Sequence, residues 1–592
     1  MQTVKQVVKR FRLQRKENTT KYYKLNQVFL WTSPLFLILL CEFNHLQDFG
    51  ALIGFIVHDF SVILFDTLLL GAVILTVLCL VKSGFIATFV PGLFLFIISF
   101  VEYYKYQSSG SHFVLTDLFM AGNTSQLMKF AGVQLNAYFI IDILIFITYF
   151  AVIFWFNPRI RFAQKPLKRL VTAVSCVLTV SIIVATPVSN FVYSAFALDN
   201  EEASNNYECD DKFKKNNLIA YLAQTSTEQI LNSPEEPESY SENEIRKELQ
   251  PAKPAVSDQK PNVVMIMSES FADFRRLDGI PNLDEYYQNF DQFAKEGICG
   301  NCVVPTFGNT TVRTEFELMF GLPMKSLNDS TSPQKMLPER ETSQPTFADY
   351  YKSQGYSTTY IHPFLNSFYD RDQIYNNYNF DELRFQDDFK TDTTKFRQYI
   401  DDKSDFNEII SCLKQSEQPA YVYTSTMQNH QPYNLDSGMT EFEYYMAGIQ
   451  QTDQALAMLM EQLKQLDEPT IVLFVGDHYP YFTDSSDSYD LADISTENAY
   501  VLYQQPFVIW NNYGASRNVE QTVSAFYLPH LIVQLTGGEQ TPFISTMLDQ
   551  MQTTPVYSSN YSVEIENNKV LDDLTYDRVL GKIYSRDSVN NP

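Results

Sequence analysis

Five long apolar stretches, at about 27–43, 60–81, 84–101, 137–156 and 169–187, dominate the first third of the chain. Each is near the roughly 20 residues that an α-helix needs to cross a bilayer. The third is interrupted by Pro91 and Gly92, which membrane helices tolerate when neighbours pack around them. The pattern predicts a transmembrane domain of five helices over 27–187. Residues 188–258 then turn polar, acidic and dotted with proline, with a short helical pattern near 216–231. That composition reads as a linker rather than as a packed element.

From Pro261 the periodicity changes again. Asn262-Val-Val-Met-Ile-Met is a short continuous apolar run, as expected of a strand buried on both faces. Similar runs recur at 358–361, 420–425, 470–475 and 506–510, with helical stretches between them. The clearest helix covers 442–463, where Phe442, Tyr445, Met446, Ile449, Leu456, Leu459 and Leu463 keep a spacing of three or four. Strands alternating with helices predict an α/β domain over 259–550 with a mainly parallel sheet. Residues 551–592 read as a loosely packed C-terminal extension.

Charge orients the apolar half. Residues 1–26 form a basic segment (Lys5, Lys9, Arg10, Arg12, Arg15, Lys16, Lys21, Lys24). Lys82 follows the second stretch, and Arg159, Arg161, Lys165, Lys168 and Arg169 lie between the fourth and fifth. The intervening loops are expected to carry Glu42, Asp48, Asp59, Glu102 and Asp117. The positive-inside rule then places the N-terminus in the cytoplasm of a multi-pass plasma-membrane protein, and an odd number of spans places everything after 187 outside. Ala195-Phe196-Ala197 has the small-x-small form of a signal peptidase site, so release of the soluble part near Leu198 is a second expectation.

The net charge of -25 falls almost wholly after the apolar half, which argues against a nucleic-acid partner. The seven cysteines make no disulfide framework. Cys299-Gly-Asn-Cys302 resembles half of a zinc site but lacks a second pair, leaving a local disulfide or two free thiols.

Three strings carry candidate chemistry. Ser268-Glu269-Ser270 and Gly476-Asp477-His478 each follow a buried strand, where active sites of parallel sheets gather. Together they offer two carboxylates and an imidazole. Thr310-Thr311-Val312-Arg313-Thr314-Glu315-Phe316 opens a helix after Gly308, so Thr311 or Thr314 suits an N-cap. The same place suits a phosphate, because helix N-termini bind anions. A neutral threonine must be activated before it attacks, and a divalent metal does so by favouring the alkoxide.

These strings resemble the lipoteichoic acid synthase family of the alkaline phosphatase/sulfatase superfamily. That family has five membrane helices, a linker and an extracellular sulfatase-like domain. Thr311-Val-Arg-Thr-Glu-Phe matches its nucleophile motif. The resemblance implies that Thr311 is the nucleophile and that Glu269, Thr311, Asp477 and His478 hold one divalent ion, manganese first, with magnesium and calcium as alternatives. Phe368-Tyr369-Asp370-Arg371-Asp372-Gln373 resembles its Phe-Trp-Asn-Arg-Asp-Gln, which implies a phosphate clamp for Arg371 beside Tyr369. Asn429-His430-Gln431-Pro432-Tyr433 likewise implies phosphate binding or acid–base assistance by His430. His362 stands open between site and structure, and His530 reads as structural. Tyr369 for Trp, Asp370 for Asn, Pro480 for Gly and the segment 305–310 depart from the synthases, which opens the identity of lipid and acceptor.

The function so implied is metal-dependent transfer of glycerophosphate from phosphatidylglycerol through a covalent threonine intermediate. The acceptor would be polyglycerolphosphate, a glycolipid or another glycan, in lipoteichoic acid synthesis or glycan decoration during cell-wall biogenesis. Phosphoethanolamine transfer is the alternative on the same scaffold. A sulfatase needs a Cys/Ser-x-Pro-x-Arg string, and Cys302-Val-Val-Pro305 has the wrong spacing.

Overall fold

The structure, a computed structural model, describes all residues except 1, 110, 116, 119–135, 157, 159–164, 202, 204–205, 232–233, 328–343, 435–437, 496, 515–518 and 592. Arg159 and Arg161 of the orientation argument thus lie outside the described residues. The chain divides into two compact units, Met1–Asn232 and Ser233–Pro592.

Among the described residues of the first unit, five helices are long and apolar enough to cross a membrane: Tyr23–Leu46, Phe60–Val81, Gly84–Gln107, Ala137–Phe156 and Pro166–Ala185. The third continues through Pro91. A Cβ at Gly92 would come within 3.0 Å of Leu37 and 3.1 Å of Phe150, so the missing side chain lets neighbouring helices close in. Leu37, Ile74, Leu78, Phe146, Phe150 and Ile153 form the bundle core. Two expectations are corrected. Glu42 and Glu102 lie inside helices rather than in loops, Glu42 within the first apolar stretch itself and Glu102 because its helix runs on past its stretch to Ser109, and both side chains are buried. Within the expected linker, the short helical pattern near 216–231 is the end of a longer helix, Asn206–Leu231, broken at Asn217. Its Phe213, Leu218, Tyr221 and Leu222 join the bundle core, so apolar residues hidden in a polar composition keep it packed.

The second unit is built on an eight-stranded sheet. Its strands are β1 (Asn262–Ser268), β2 (Ile298–Val303), β3 (Ser357–His362), β4 (Glu382–Phe385), β7 (Ala420–Ser425), β8 (Thr470–Gly476), β9 (Gln504–Asn511) and β10 (Val519–Ser524). Two short strands, β5 (Lys395–Phe396) and β6 (Tyr399–Ile400), form a separate hairpin. The order β10-β2-β9-β8-β1-β7-β3-β4 is parallel except where β9 runs against β8 and β2. β1 and β8 are buried along their whole length, as continuous apolar runs covered on both faces require. The helix Glu441–Lys464 starts at Thr440 with a capping box to Glu443 and buries its Phe442, Tyr445, Ile449, Leu456 and Leu463 stripe.

The segments flanking this sheet are packed, against expectation. In the second part of the linker Ile245 enters the core, and Lys253 pairs its backbone with Gln540. In the C-terminal extension the helix Lys569–Val579 contributes Leu571, Leu574 and Val579 to the same core. Asp577 there accepts from Tyr240 Oη at 2.6 Å and from the Ser585 amide at 2.8 Å. Cys299 and Cys302 are free. Three residues apart on β2, they point to opposite faces and cannot pair.

Candidate active site

The register of the sheet builds the site. Ser268 at the end of β1 pairs with Gly476 at the end of β8, so the next residues, Glu269 and Asp477, emerge side by side. Gly476 is needed for close approach, because a Cβ there would lie 2.0 Å from the Phe271 carbonyl oxygen. β7 and β3 end beside them, delivering Thr426 and His362 to the same rim. The Thr426 hydroxyl accepts the Glu269 amide at 3.0 Å.

The third string arrives on the helix Thr311–Phe320. Its N-cap is Thr310, held at φ 63°, and neither Thr311 nor Thr314 caps it. Thr311 opens the helix and Thr314 donates to the Asp477 carbonyl at 2.9 Å, tying helix to strand end. Left-handed backbone recurs at Ser270, Tyr369 and Asp370, in the other loops of the site. Non-glycine residues rarely hold that conformation unless packing fixes it, and such positions cluster at functional sites.

The result is a compact, buried cluster. The Thr311 hydroxyl donates to Glu269 Oε2 at 3.1 Å and lies 3.4 Å from His478 Nε2. His478 Nε2 is 3.3 Å from Asp477 Oδ2 and 3.8 Å from Glu269 Oε1. Asp477 Oδ1 accepts the amides of Ser270 at 2.7 Å and His478 at 2.8 Å, whereas its Oδ2 is buried and accepts no hydrogen bond. His478 Nδ1 donates to the Tyr479 carbonyl at 2.9 Å, which leaves the lone pair on Nε2 facing the carboxylates. One ligand atom from each of Glu269, Asp477 and His478 falls within 4.8 Å of the others. Burial pushes the Asp477 carboxyl up to about 7. Burial, with Asp477 as neighbour, raises Glu269, and burial lowers His478. Two buried carboxylates, one with an orphaned oxygen, and a bare imidazole nitrogen fit a divalent cation.

A second cluster adjoins the first. Arg371 is 1% exposed and donates through Nη2 to Glu315 Oε2 at 2.9 Å. Its Nη1 lies 3.3 Å from the Phe368 carbonyl and 3.4 Å from His362 Nε2. The Tyr369 ring sits 5.4 Å from the guanidinium carbon. His362 Nδ1 bonds the Ser425 carbonyl at 2.8 Å, and His430 Nδ1 the Gln431 carbonyl at 2.8 Å. Burial lowers both imidazoles, and the Arg371 charge adds to the effect. The charges of Glu269 and His478 also reach His430, which lies within range of both clusters. His530 packs elsewhere, with Nε2 3.1 Å from the Gly321 carbonyl.

Three partners escaped the sequence reading. Thr426 follows a strand that was legible, but its role needs the β1–β7 register. Glu315 stood inside the nucleophile motif without a partner, and Tyr360, which donates to Glu315 Oε1 at 2.9 Å, read only as a strand aromatic. Glu317, one turn beyond Thr314, is also buried, and burial pushes its carboxyl up to about 8. Its raised value means that its full stabilising contribution holds below about pH 4.5 and is lost as pH rises towards 8. Glu317→Gln, which keeps the bond from the Met324 amide, is expected to stabilise the fold at pH 8 by on the order of 2 kcal/mol and to flatten the loss between pH 5 and 8. Thermal melts at the two pH values measure this.

Residues 261–538 match the Sulfatase family. A putative cyclic beta-1,2-glucan modification protein of Rhizobium meliloti is 26% identical over 324 residues, 50% of this chain and 50% of that protein. Lipoteichoic acid synthase 1 of Bacillus subtilis is 28% identical over 140 residues, 22% of each chain. The chain spans about half or less of the curated relatives it matches, 50% and 44% of the first two. Among solved structures, the Streptococcus pyogenes phosphoglycerol transferase GacH, in complex with sn-glycerol-1-phosphate, shares the fold. It has a TM-score of 0.50 at 20% identity, over 61% of this chain and 99% of that one.

Proposed function

With a sulfatase-family domain over residues 261–538, we propose that this chain is a membrane-anchored phosphoglycerol transferase whose nucleophile is Thr311. The observation that carries the reading is the Thr311 hydroxyl, 3.1 Å from Glu269 and 3.4 Å from His478 in a buried site. The names of the relatives, lipoteichoic acid synthases and a phosphoglycerol transferase, support glycerophosphate as the group moved.

Glu269, Thr311, Asp477 and His478 would hold one divalent cation, which when bound favours the threonine alkoxide and offsets charge on phosphorus. A mixed carboxylate, hydroxyl and imidazole set suits manganese better than calcium, which prefers oxygen alone. The N-terminus of the Thr311 helix would favour an incoming phosphate. Arg371, beside Tyr369, supplies a positive charge for the phosphodiester, and neutral His430 a hydrogen-bonding nitrogen. Thr311 Oγ attacks phosphorus, diacylglycerol leaves, and glycerophosphate remains on the threonine. A hydroxyl of polyglycerolphosphate, a glycolipid or another glycan then displaces it. The basic residues near the N-terminus favour a cytoplasmic start, so that after five spans the transferase domain faces outside, beside its lipid donor.

The test uses the full chain in nanodiscs with fluorescent phosphatidylglycerol or phosphatidylethanolamine. Chelation is expected to stop diacylglycerol release from phosphatidylglycerol, and Mn²⁺ to restore it. Metal-independent release, or equal turnover of the ethanolamine lipid, would reject the reading.

A further inference from the structure

Glu315 follows Thr311 by four residues, so both project from one face of one helix. It is fully buried, and both its oxygens are engaged, one by Arg371 and the other by Tyr360 of β3. With both oxygens engaged, the carboxylate has no partner to spare for a substrate. Arg371 is as deeply buried but keeps an unspent donor. Glu315 holds Nη2, while the Phe368 carbonyl and His362 hold Nη1. Rings of Phe368, Tyr369 and Tyr375 stand 5.4 to 5.8 Å from the guanidinium carbon. Its Nε is buried and has no hydrogen-bond partner. A guanidinium carries donors only, and buried donors in folded proteins are nearly always satisfied. The group that satisfies this one must be an acceptor, and a phosphate oxygen of the substrate is one.

We propose that Glu315 is a positioning residue: it fixes the Arg371 guanidinium relative to Thr311 and turns the Nε edge towards the phosphate of the substrate. The inference rests on the transferase reading above. The helix is anchored at one end by Thr314 on the Asp477 carbonyl and grips Arg371 through Glu315 one residue later. Nucleophile and clamp therefore move as one body. Displacing a positioning group by about 1 Å can cost on the order of 100-fold in rate.

The full chain in phosphatidylglycerol nanodiscs tests this. Glu315→Gln is expected to lower kcat about tenfold and raise KM about tenfold, together on the order of 100-fold in kcat/KM. Arg371→Lys should do the same, and the double variant should lose no more than Arg371→Lys alone, because Glu315 acts only through Arg371. A purely structural role would lower the active fraction, reducing kcat with KM unchanged, and its loss would multiply with that of Arg371→Lys. Either result overturns the proposal. Mn²⁺ affinity should be unchanged. Should Glu315→Gln fail to fold, Tyr360→Phe removes one bond to Glu315. It is expected to lower kcat/KM several-fold, and only while Arg371 is present; an equal loss in the Arg371→Lys background overturns the proposal. Calorimetry with inorganic phosphate separates the two readings. A tenfold weaker phosphate affinity in Glu315→Gln, in a chain that releases no diacylglycerol, rejects the transferase and keeps the positioning role. Unchanged phosphate affinity rejects the positioning role whatever the activity.

Discussion

Thr311→Ala is expected to abolish diacylglycerol release, by a factor on the order of 10⁴ or more. Loss of a covalent nucleophile removes the route itself rather than one stabilising contact, which is why such losses are so large. The fold should scarcely notice. Thr311 stands in the first helical position, where alanine is well tolerated, and its hydroxyl meets Glu269, His478 and Asp477. Losing those contacts is worth about 1 kcal/mol. Glu269, Asp477 and His478 remain, so the substituted chain should still bind Mn²⁺, more weakly. Two readouts check the assignment. Fluorescent lipid turnover measures the rate, and mass spectrometry of the wild-type chain should find glycerophosphate on the peptide that carries Thr311. Turnover by Thr311→Ala equal to wild type would sink the nucleophile, and an adduct elsewhere would name its replacement.

Why these residues were legible, and their partners not, follows from what a linear sequence encodes. A strand buried on both faces announces itself as an apolar run, so the ends of β1 and β8, with Glu269 and Asp477 just beyond, are visible without a structure. That the two are neighbours depends on register, Ser268 against Gly476, which no local pattern reports. β2 and β4 were missed for a related reason. Ile298–Val303 alternates polar and apolar with a glycine inside, and Glu382–Phe385 is only four residues long. The antiparallel direction of β9 has no composition signature. Segments judged by polarity fared worst. Asn206–Leu231 and Lys569–Val579 are polar on average, yet each buries a few well-spaced apolar residues, and packing of one face decides a helix more than its mean composition. The Glu315–Arg371 pair lies deeper still, since a 56-residue separation closes only when β3 sets Tyr360 beside both.

Asp477→Asn is expected to be as damaging as loss of the nucleophile, and for a separable reason. Asp477 Oδ1 accepts two backbone amides, at 2.7 and 2.8 Å, and an asparagine oxygen will be oriented by the same two donors. The amide nitrogen then occupies the place of Oδ2, the buried oxygen that accepts no hydrogen bond. There it presents hydrogens to any cation and removes one of the two carboxylate charges. Since outer partners of metal ligands alone cost 10- to 100-fold in affinity, replacing a ligand should cost more than about 100-fold. Saturating Mn²⁺ should restore little activity, because the remaining cation would lack a charge that holds it near Thr311. Stability should move the other way when metal is absent. Burial pushes the Asp477 carboxyl up to about 7, so the ionised form is costly in the folded state above that pH. At pH 8 and without metal, Asp477→Asn should melt at or above the wild-type temperature. Adding Mn²⁺ at 100 times its dissociation constant should stabilise the wild type by about 2.7 kcal/mol and leave the variant unmoved. If Mn²⁺ raised both melting temperatures equally, Asp477 would not be a ligand, and the orphaned oxygen would need another explanation.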